Sequence, residues 1–372
     1  MPASGPTAPL GSHRPLTGLR VVELASVLAG PLVGTFLAEL GADVTKVEHP
    51  ERGDVTRNWR SVGESPDGPS AYFAAANGPK QSVRIDLKSR EGQQQFDRLL
   101  SSADILLQNT MPASLAGLGL NPEALAERFP SLIHIHLQGF MDAPERGGYD
   151  MVVQAESGFA ALNAAPGGSA SRMPVALMDV LAAHQMRSAV LLALYEREKD
   201  GKGAYIETWL DASGISALAN RATEHLVAGQ EPQPLGTLHP QIAPYGETFT
   251  CRCGGQVVLA VGNDGQFAAL CDILGLSPLA SDARFATNPD RVVHRKALAQ
   301  KLAKPIGEQD ADGLLKSAST RGVPLGRVNR ISDALNSPTG RAMTASFQWE
   351  DTPVQHVRQV AFRVHRTGSL NT

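Results

Sequence analysis

The stretch Arg20-Val-Val-Glu-Leu-Ala-Ser-Val-Leu-Ala-Gly-Pro-Leu-Val-Gly-Thr-Phe-Leu-Ala-Glu-Leu-Gly-Ala-Asp-Val-Thr-Lys-Val-Glu48 decides the fold. Arg20 to Leu24 is short and apolar, with a β-branched centre, and reads as a buried strand. Leu32 to Leu40 spaces its apolar residues as a helix does and stops at Gly41, a residue suited to the position just past a helix end. Ala42 to Glu48 reads as a second strand. Two strands joined by a helix form a β-α-β unit, whose strands lie parallel and are linked by a right-handed crossover.

Outward from this unit the alternation continues. Ser82 to Asp86, Asp104 to Gln108 and Leu132 to Leu137 read as strands, with helices at Arg90 to Ser101 and Pro122 to Arg128. Asp179 to Lys199 is the clearest helix: Leu181, Met186, Val190, Leu191 and Leu194 recur at helical spacing, and Gly201 and Gly203 end it. Ala204 to Leu210 resumes as a strand, and Ala212 to Ala228 as a helix. Strands alternating with helices predict an α/β domain, Rossmann-like, with a mainly parallel sheet.

The composition changes near Gly229, where Gln230-Glu-Pro-Gln-Pro-Leu-Gly236 reads as a linker. A hairpin at Gly246–Thr250 and Gln256–Val261 follows, with helices at Asp264–Leu274 and His294–Lys304 and a return path over Gly322–Asn329. The expected organisation is a flexible leader over 1–14, a large domain over 15–228 and 330–372, and a smaller inserted α+β domain over 229–329. The leader is rich in Pro, Ser, Gly and Ala and lacks the charged and apolar regions of a signal peptide.

The chain has 372 residues and a formal net charge of −3, so nothing global favours nucleic acid or an anionic membrane as a partner. Its three cysteines are too few for a disulfide framework and suit a reducing, cytoplasmic setting. Cys251-x-Cys253 has the wrong spacing for a zinc knuckle, and no metal is expected. A nicotinamide cofactor is unexpected as well. The turn Val27-Leu-Ala-Gly-Pro-Leu-Val-Gly34 lacks two of the three glycines of the dinucleotide fingerprint, and Pro31 removes an N–H that a phosphate would use. Gly30-Pro31 instead suits a proline at the first helical position.

Several strings in fixed order resemble the class III CoA-transferase family, the group that holds formyl-CoA transferase, carnitine CoA-transferase and α-methylacyl-CoA racemase. They are Leu16 to Leu24, Ala29-Gly-Pro31, Leu40 to Val44, Lys46-Val-Glu-His-Pro50, Gly53-Asp54 with Thr56-Arg57, Lys80 to Lys88, and Gly148-Tyr-Asp150. Downstream come Glu196-Arg-Glu-Lys199 with Gly201-Lys-Gly203, and His239-Pro-Gln-Ile-Ala-Pro-Tyr245.

The resemblance implies an enzyme that moves CoA from an acyl-CoA donor to a carboxylic acid, and an interlocked homodimer. CoA thioester is then a substrate, with no permanently bound cofactor. The resemblance places the nucleophile at Asp179, the last residue of Pro174-Val-Ala-Leu-Met-Asp179. A carboxylate there would form a mixed anhydride and then an enzyme–CoA thioester. Read locally, an Asp at a helix start is also an ordinary N-cap. The helix N-terminus is expected to favour its ionised form.

By the same resemblance, Val27, Leu28 and Ala29 present backbone to the adenine and ribose end of CoA, and His49 packs on adenine. Locally, His49 is equally a turn residue before Pro50. Ile85 to Lys88 would run along the nucleotide, with Lys88 on a phosphate, or Lys88 is a solvated lysine. Asn109, Thr110 and Met111 sit at a strand end, where α/β folds bind ligands.

Tyr149 with Asp150 points to the transferase branch, because the racemase branch carries His where Tyr149 stands and a tyrosine is a poor base. A loop aromatic is the plainer reading of Tyr149. The chain departs from the family pattern at Thr110 and at Gly117, where a basic residue is usual. Racemase or isomerase chemistry, and a silent CoA-binding homologue, are the alternatives.

Overall fold

A computed structural model of the chain describes residues 13–364, so residues 1–12 of the expected leader lie outside it. By internal contacts the described residues divide into two units, one of 13–160, 172–230 and 335–364, the other of 161–171 and 231–334. The second unit takes in 161–171, a segment that the sequence reading keeps with the large domain.

The first unit is built on a six-stranded sheet: β1 Arg20–Glu23, β2 Asp43–Glu48, β3 Gln81–Arg84, β4 Ile105–Gln108, β5 Ile133–Gln138 and β6 Ala204–Trp209. The order is β3-β2-β1-β4-β5-β6, and every pairing is parallel. The direction of winding reverses between β1 and β4. In open α/β sheets a crevice opens there, beyond the carboxyl ends of the strands.

The helices up to Ala228 are, in chain order, α1 Ala29–Glu39, α2 Ala71–Asn77, α3 Arg90–Leu100, α4 Pro122–Arg128, α5 Asp150–Glu156, α6 Phe159–Leu162, α7 Leu177–Asp200, α8 Leu210–Ala217 and α9 Ala219–Ala228. α1 starts at Ala29 rather than at Leu32, which puts Pro31 at the third helical position, not the first. Proline is tolerated there because that N–H would have no intrahelical partner anyway. The helix expected over Ala212–Ala228 is broken at Ala219, whose φ is +44°.

Both faces of the sheet are covered, as a parallel sheet requires. Val21, Ile105, Leu107, Ile133 and Ile135 pack with Val33, Leu37, Met186 and Val190 of α1 and α7. Val22 and Leu106 pack on the other face with Phe96 and Leu100 of α3 and Leu125 of α4. Truncating any of these large side chains to alanine would cost about 2–5 kcal/mol. The chain returns through a hairpin, β10 Thr344–Trp349 and β11 Thr352–Val357. Beyond it, Glu39 accepts the Gln359 and Val360 N–H groups, and Val360 enters the first core.

The second unit has its own core. Antiparallel β7 Tyr245–Thr250, β8 Gln256–Ala260 and β9 Leu325–Arg327 pack Phe249, Val257 and Leu259 against Phe267, Leu270, Leu302 and Leu314. Cys251 and Cys271 are buried, Cys253 is exposed, and all three are free thiols.

Candidate active site

The crevice is framed by the turns after β1 and β4, which are stapled together. The Ser26 N–H donates to Asn109 Oδ1 at 3.0 Å, and Asn109 Nδ2 donates back to the Ser26 carbonyl at 3.1 Å. The next residue, Val27, has φ +72°. A β-branched residue in the left-handed region is a rare and strained conformation that clusters at functional sites. It lets α1 start at Ala29, whose N–H faces the Asp179 carboxylate and favours its ionised form.

Below this turn lies a buried ionic cluster. Lys46 Nζ reaches Glu23 at 3.1 Å, Asp54 at 2.9 Å and the Ala25 carbonyl at 2.7 Å. Lys80 Nζ reaches Glu23 at 2.8 Å and the Pro31 carbonyl at 2.7 Å. Gly34 leaves the room this needs, since a Cβ there would lie 1.8 Å from Glu23 Oε2. Charges removed from water in this way hold only with their full set of partners, which fixes the turn that carries Val27 to Pro31. Arg57 is likewise engaged: it binds Glu48 through Nε and Nη2 and lies 3.9 Å over the Phe73 ring.

Asp179 is the third residue of α7, not its N-cap. The N-cap is Ala176, which has no side chain to cap with. The cap comes from elsewhere. Asp150 Oδ1 accepts the Met178 N–H at 2.9 Å, and its Oδ2 accepts from Gln154 Nε2 at 2.8 Å. Gln154 in turn accepts the Met173 N–H at 2.8 Å, tying down the segment that leads into α7.

Burial, and then the neighbouring Asp150 charge, push the Asp179 carboxyl up to about 7, against the pull of the Ala29 N–H. This corrects the expectation that the helix N-terminus settles its charge, because loss of water outweighs the dipole here. Tyr72 is close enough to feel both carboxylates, and burial with those charges raises its phenol to about 12, so it stays a donor.

Two cavities meet at the staple. The first, of about 210 Å³, is lined among others by Val27, Asn109, Thr110, Met111, Tyr149, Asp150 and Asp179. Gln138, Gly139 and Gly148 complete it, and none of its lining residues is cationic. The second, of about 400 Å³, is lined by Lys46, His49, Arg52, Asp54, Leu87 and Leu118, and shares Ser26, Asn109 and Thr110 with the first. Gly117, beside Leu118, stands over open space, since a Cβ there would meet nothing within 4 Å.

Most of the residues picked from the sequence are therefore brought together. Val27, Tyr149, Asp150 and Asp179 share one cavity, His49 lines the other, and Asn109 and Thr110 join the two. Val27 shares the Asp179 cavity and Ala29 lies beside that carboxylate, whereas the resemblance assigns both to the nucleotide end. Tyr149 is exposed, not packed inside. Leu28, Ile85 and Lys88 line neither cavity: Ile85 is part of the core behind the sheet, and Lys88 is exposed.

Sequence reasoning missed Gln138, Gln154, Tyr72 and the Lys46 cluster. Lys46 and Glu23 had a visible signal, a charge inside each of two strands of a sheet covered on both faces.

A switch-point crevice holding a carboxylate of raised pKa, aimed at by a helix N-terminus, suits an enzyme of acyl or group transfer. Residues 16–369 match the family described as CoA-transferase family III, and the chain belongs to it. It is a CoA-transferase of that family, at work in acyl-CoA metabolism.

The chain is 38% identical over 349 residues to a succinate–glutarate CoA-transferase of Agrobacterium fabrum, covering 91% of this chain and 87% of the relative. It is 34% identical over 337 residues to an acetyl-CoA:oxalate CoA-transferase of Acetobacter aceti, covering 89% and 85%. A solved CAIB/BAIF family protein from Brucella suis superposes with a TM-score of 0.81 at 37% identity, covering 95% of this chain and 93% of that one.

Proposed function

We propose that the chain moves CoA from an acyl-CoA donor to a dicarboxylic acid through a covalent relay on Asp179. The observation that carries the reading is the Asp179 carboxylate, which lines the first cavity with Asp150 and feels both that charge and the Ala29 N–H. The relatives above, named for succinate, glutarate and oxalate, support the dicarboxylate class.

In this reading a carboxylate oxygen of Asp179 attacks the donor thioester carbonyl, and CoA leaves as thiolate from a mixed anhydride. The thiolate then attacks the Asp179 acyl carbon, releasing the donor acid and leaving an aspartyl-CoA thioester. The incoming carboxylate displaces CoA to form a second anhydride. CoA thiolate attacks its acceptor half, which yields the new acyl-CoA and frees Asp179. A carboxyl poised near 7 is available as a nucleophile at neutral pH without being tied up by a cation.

Exposed apolar side chains on α7 and on α9, among them Leu192, Tyr195, Leu226 and Val227, are sites that a second copy of the chain would cover. The homodimer and a cytoplasmic setting belong to this proposal. Incubation with a panel of acyl-CoA donors and dicarboxylic acids, followed by mass spectrometry, tests the chemistry. Wild type should form a hydroxylamine-sensitive adduct at Asp179, and Asp179→Ala should fold, bind CoA and transfer nothing. Undiminished transfer by Asp179→Ala would remove the relay. Exchange of the α-proton without movement of CoA would make the enzyme a racemase instead.

A further inference from the structure

The strand β5, Ile133-His-Ile-His-Leu-Gln138, alternates apolar and polar residues, yet all six are buried. Ile133, Ile135 and Leu137 supply one core face. His134, His136 and Gln138 are left inside the protein on the opposite face, where each polar atom must find a partner. Most of their partners lie on the flanking strands, and His134 Nδ1 is left without one. Gln108 is opposite His136 on β4, and Tyr205 and Glu207 are opposite His134 and His136 on β6. Tyr205, about 39% exposed, and Glu207 reach solvent, while His136 and Gln108 are fully buried.

This group holds Thr110 from both sides. The Thr110 N–H donates to Gln108 Oε1 at 2.6 Å. His136 Nε2 lies 2.7 Å from the Thr110 carbonyl, which only accepts, so Nε2 carries the proton. Burial disfavours a second proton on the ring. Nδ1 is then an acceptor, and it lies 3.0 Å from the Tyr205 hydroxyl, which donates to it. Tyr205, which also interacts with Glu207, supports the tautomer that can hold Thr110. Gln138, further along the same face, donates to Glu207 at 2.8 Å and lines the first cavity.

Thr110 belongs to the small set of residues that line both cavities, and its neighbour Asn109 is stapled to Ser26. A CoA thioester that reaches Asp179 from the His49 side must cross this bridge. We propose that His136 is a positioning residue. With Gln108 and Tyr205 it locks Thr110 as the bridge between the two cavities and so fixes where the CoA arm passes on its way to Asp179. The inference rests on the CoA-transferase reading above. It assigns a role to three residues that do not touch the reacting atoms, and it is carried by the geometry of β4, β5 and β6.

The test measures CoA affinity by calorimetry and steady-state transfer for His136→Leu, His136→Gln and Tyr205→Phe in the full chain. His136→Leu keeps the volume and removes the donor. It should raise the CoA dissociation constant and the KM for acyl-CoA by about tenfold, as a small misplacement does, and leave the KM for the acceptor acid alone. His136→Gln can still donate to Thr110 and should recover most of the affinity. Tyr205→Phe should weaken CoA in the same direction by a smaller factor.

A purely structural histidine would lower the active fraction and leave the dissociation constant of the folded protein unchanged. A folded His136→Leu with CoA affinity within about twofold of wild type would overturn the proposal. Should that variant not fold, unchanged CoA affinity in Tyr205→Phe overturns it equally. Wild type that binds CoA but transfers nothing would sink the relay on Asp179 without touching this inference, whereas wild type that binds no CoA sinks both.

Discussion

Asp150 Oδ1 accepts the Met178 N–H at 2.9 Å, so the helix that carries Asp179 is capped by a carboxylate from another helix. The arrangement separates two jobs that one aspartate cannot do together. A capping carboxylate is committed to backbone N–H groups, whereas a nucleophile needs a free oxygen. Asp150 takes the cap and leaves Asp179 open to the cavity, and its charge also raises the pKa of the residue it frees.

Asp150→Asn keeps an acceptor for the Met178 N–H and removes the charge. The acid limb of kcat/KM, set near 7 by Asp179, should move to lower pH while the melting temperature stays nearly unchanged. Asp150→Ala loses the cap as well and should cost about 1 kcal/mol of stability. A pH–rate profile and a thermal melt of each variant check this. An unmoved acid limb in Asp150→Asn would show that Asp150 does not set the Asp179 pKa.

Asp179 should make the folded state less stable as pH rises. Its carboxyl loses its proton near the ordinary value of 3.8 in the unfolded chain and near 7 in the folded one. Between those limits the folded state holds the extra proton, so stability falls with rising pH, and the cost is complete above 7. Asp179→Asn cannot ionise. It should be more stable than wild type by on the order of 4 kcal/mol at pH 8, with the difference gone near pH 3. Urea denaturation at the two pH values measures it.

Gly139 and Gly148 pass each other backbone to backbone, and a Cβ on Gly148 would lie 2.3 Å from Gly139 Cα. Gly148→Ala should push the loop outward and carry Tyr149 and Asp150 with it. Transfer should fall by about ten- to a hundredfold in a protein that still folds. Steady-state kinetics beside a circular dichroism spectrum would expose the opposite result, full activity in a folded variant.

Lys46 is the shared cation of Glu23 and Asp54, all three buried. Lys46→Met leaves Asp54 without its ion-pair partner and should cost about 3–5 kcal/mol. The exposed Arg321–Asp272 pair is the control: Arg321→Ala should leave the denaturation midpoint unchanged. Equal effects of the two substitutions would refute the contrast between buried and exposed pairs.

Much of the site was legible in the residues themselves. The β-α-β pattern of Arg20 to Glu48 gives the sheet its direction, and the ordered strings around Asp179, Tyr149-Asp150 and Asn109 to Met111 point to the right chemistry. The misses share one cause. Pro31 looked like the first residue of α1, because sequence cannot tell that the turn before it would accept φ +72° at Val27. Ile85 and Lys88 were assigned by position in a string, but the face a side chain takes at a strand end depends on register with its neighbours.

The sequence alone determined a parallel α/β sheet and its crevice, because periodicity and residue type are local properties, whereas Asp179 stood out through the family resemblance and not through its local pattern. Only the tertiary structure decided how that carboxylate behaves. Its pKa, its freedom from capping and the wall it faces all depend on Asp150, Ala29 and Thr110, residues brought in from 29 to 150 positions away along the chain. Desolvation and charge act through space, and distance in space is set by the fold.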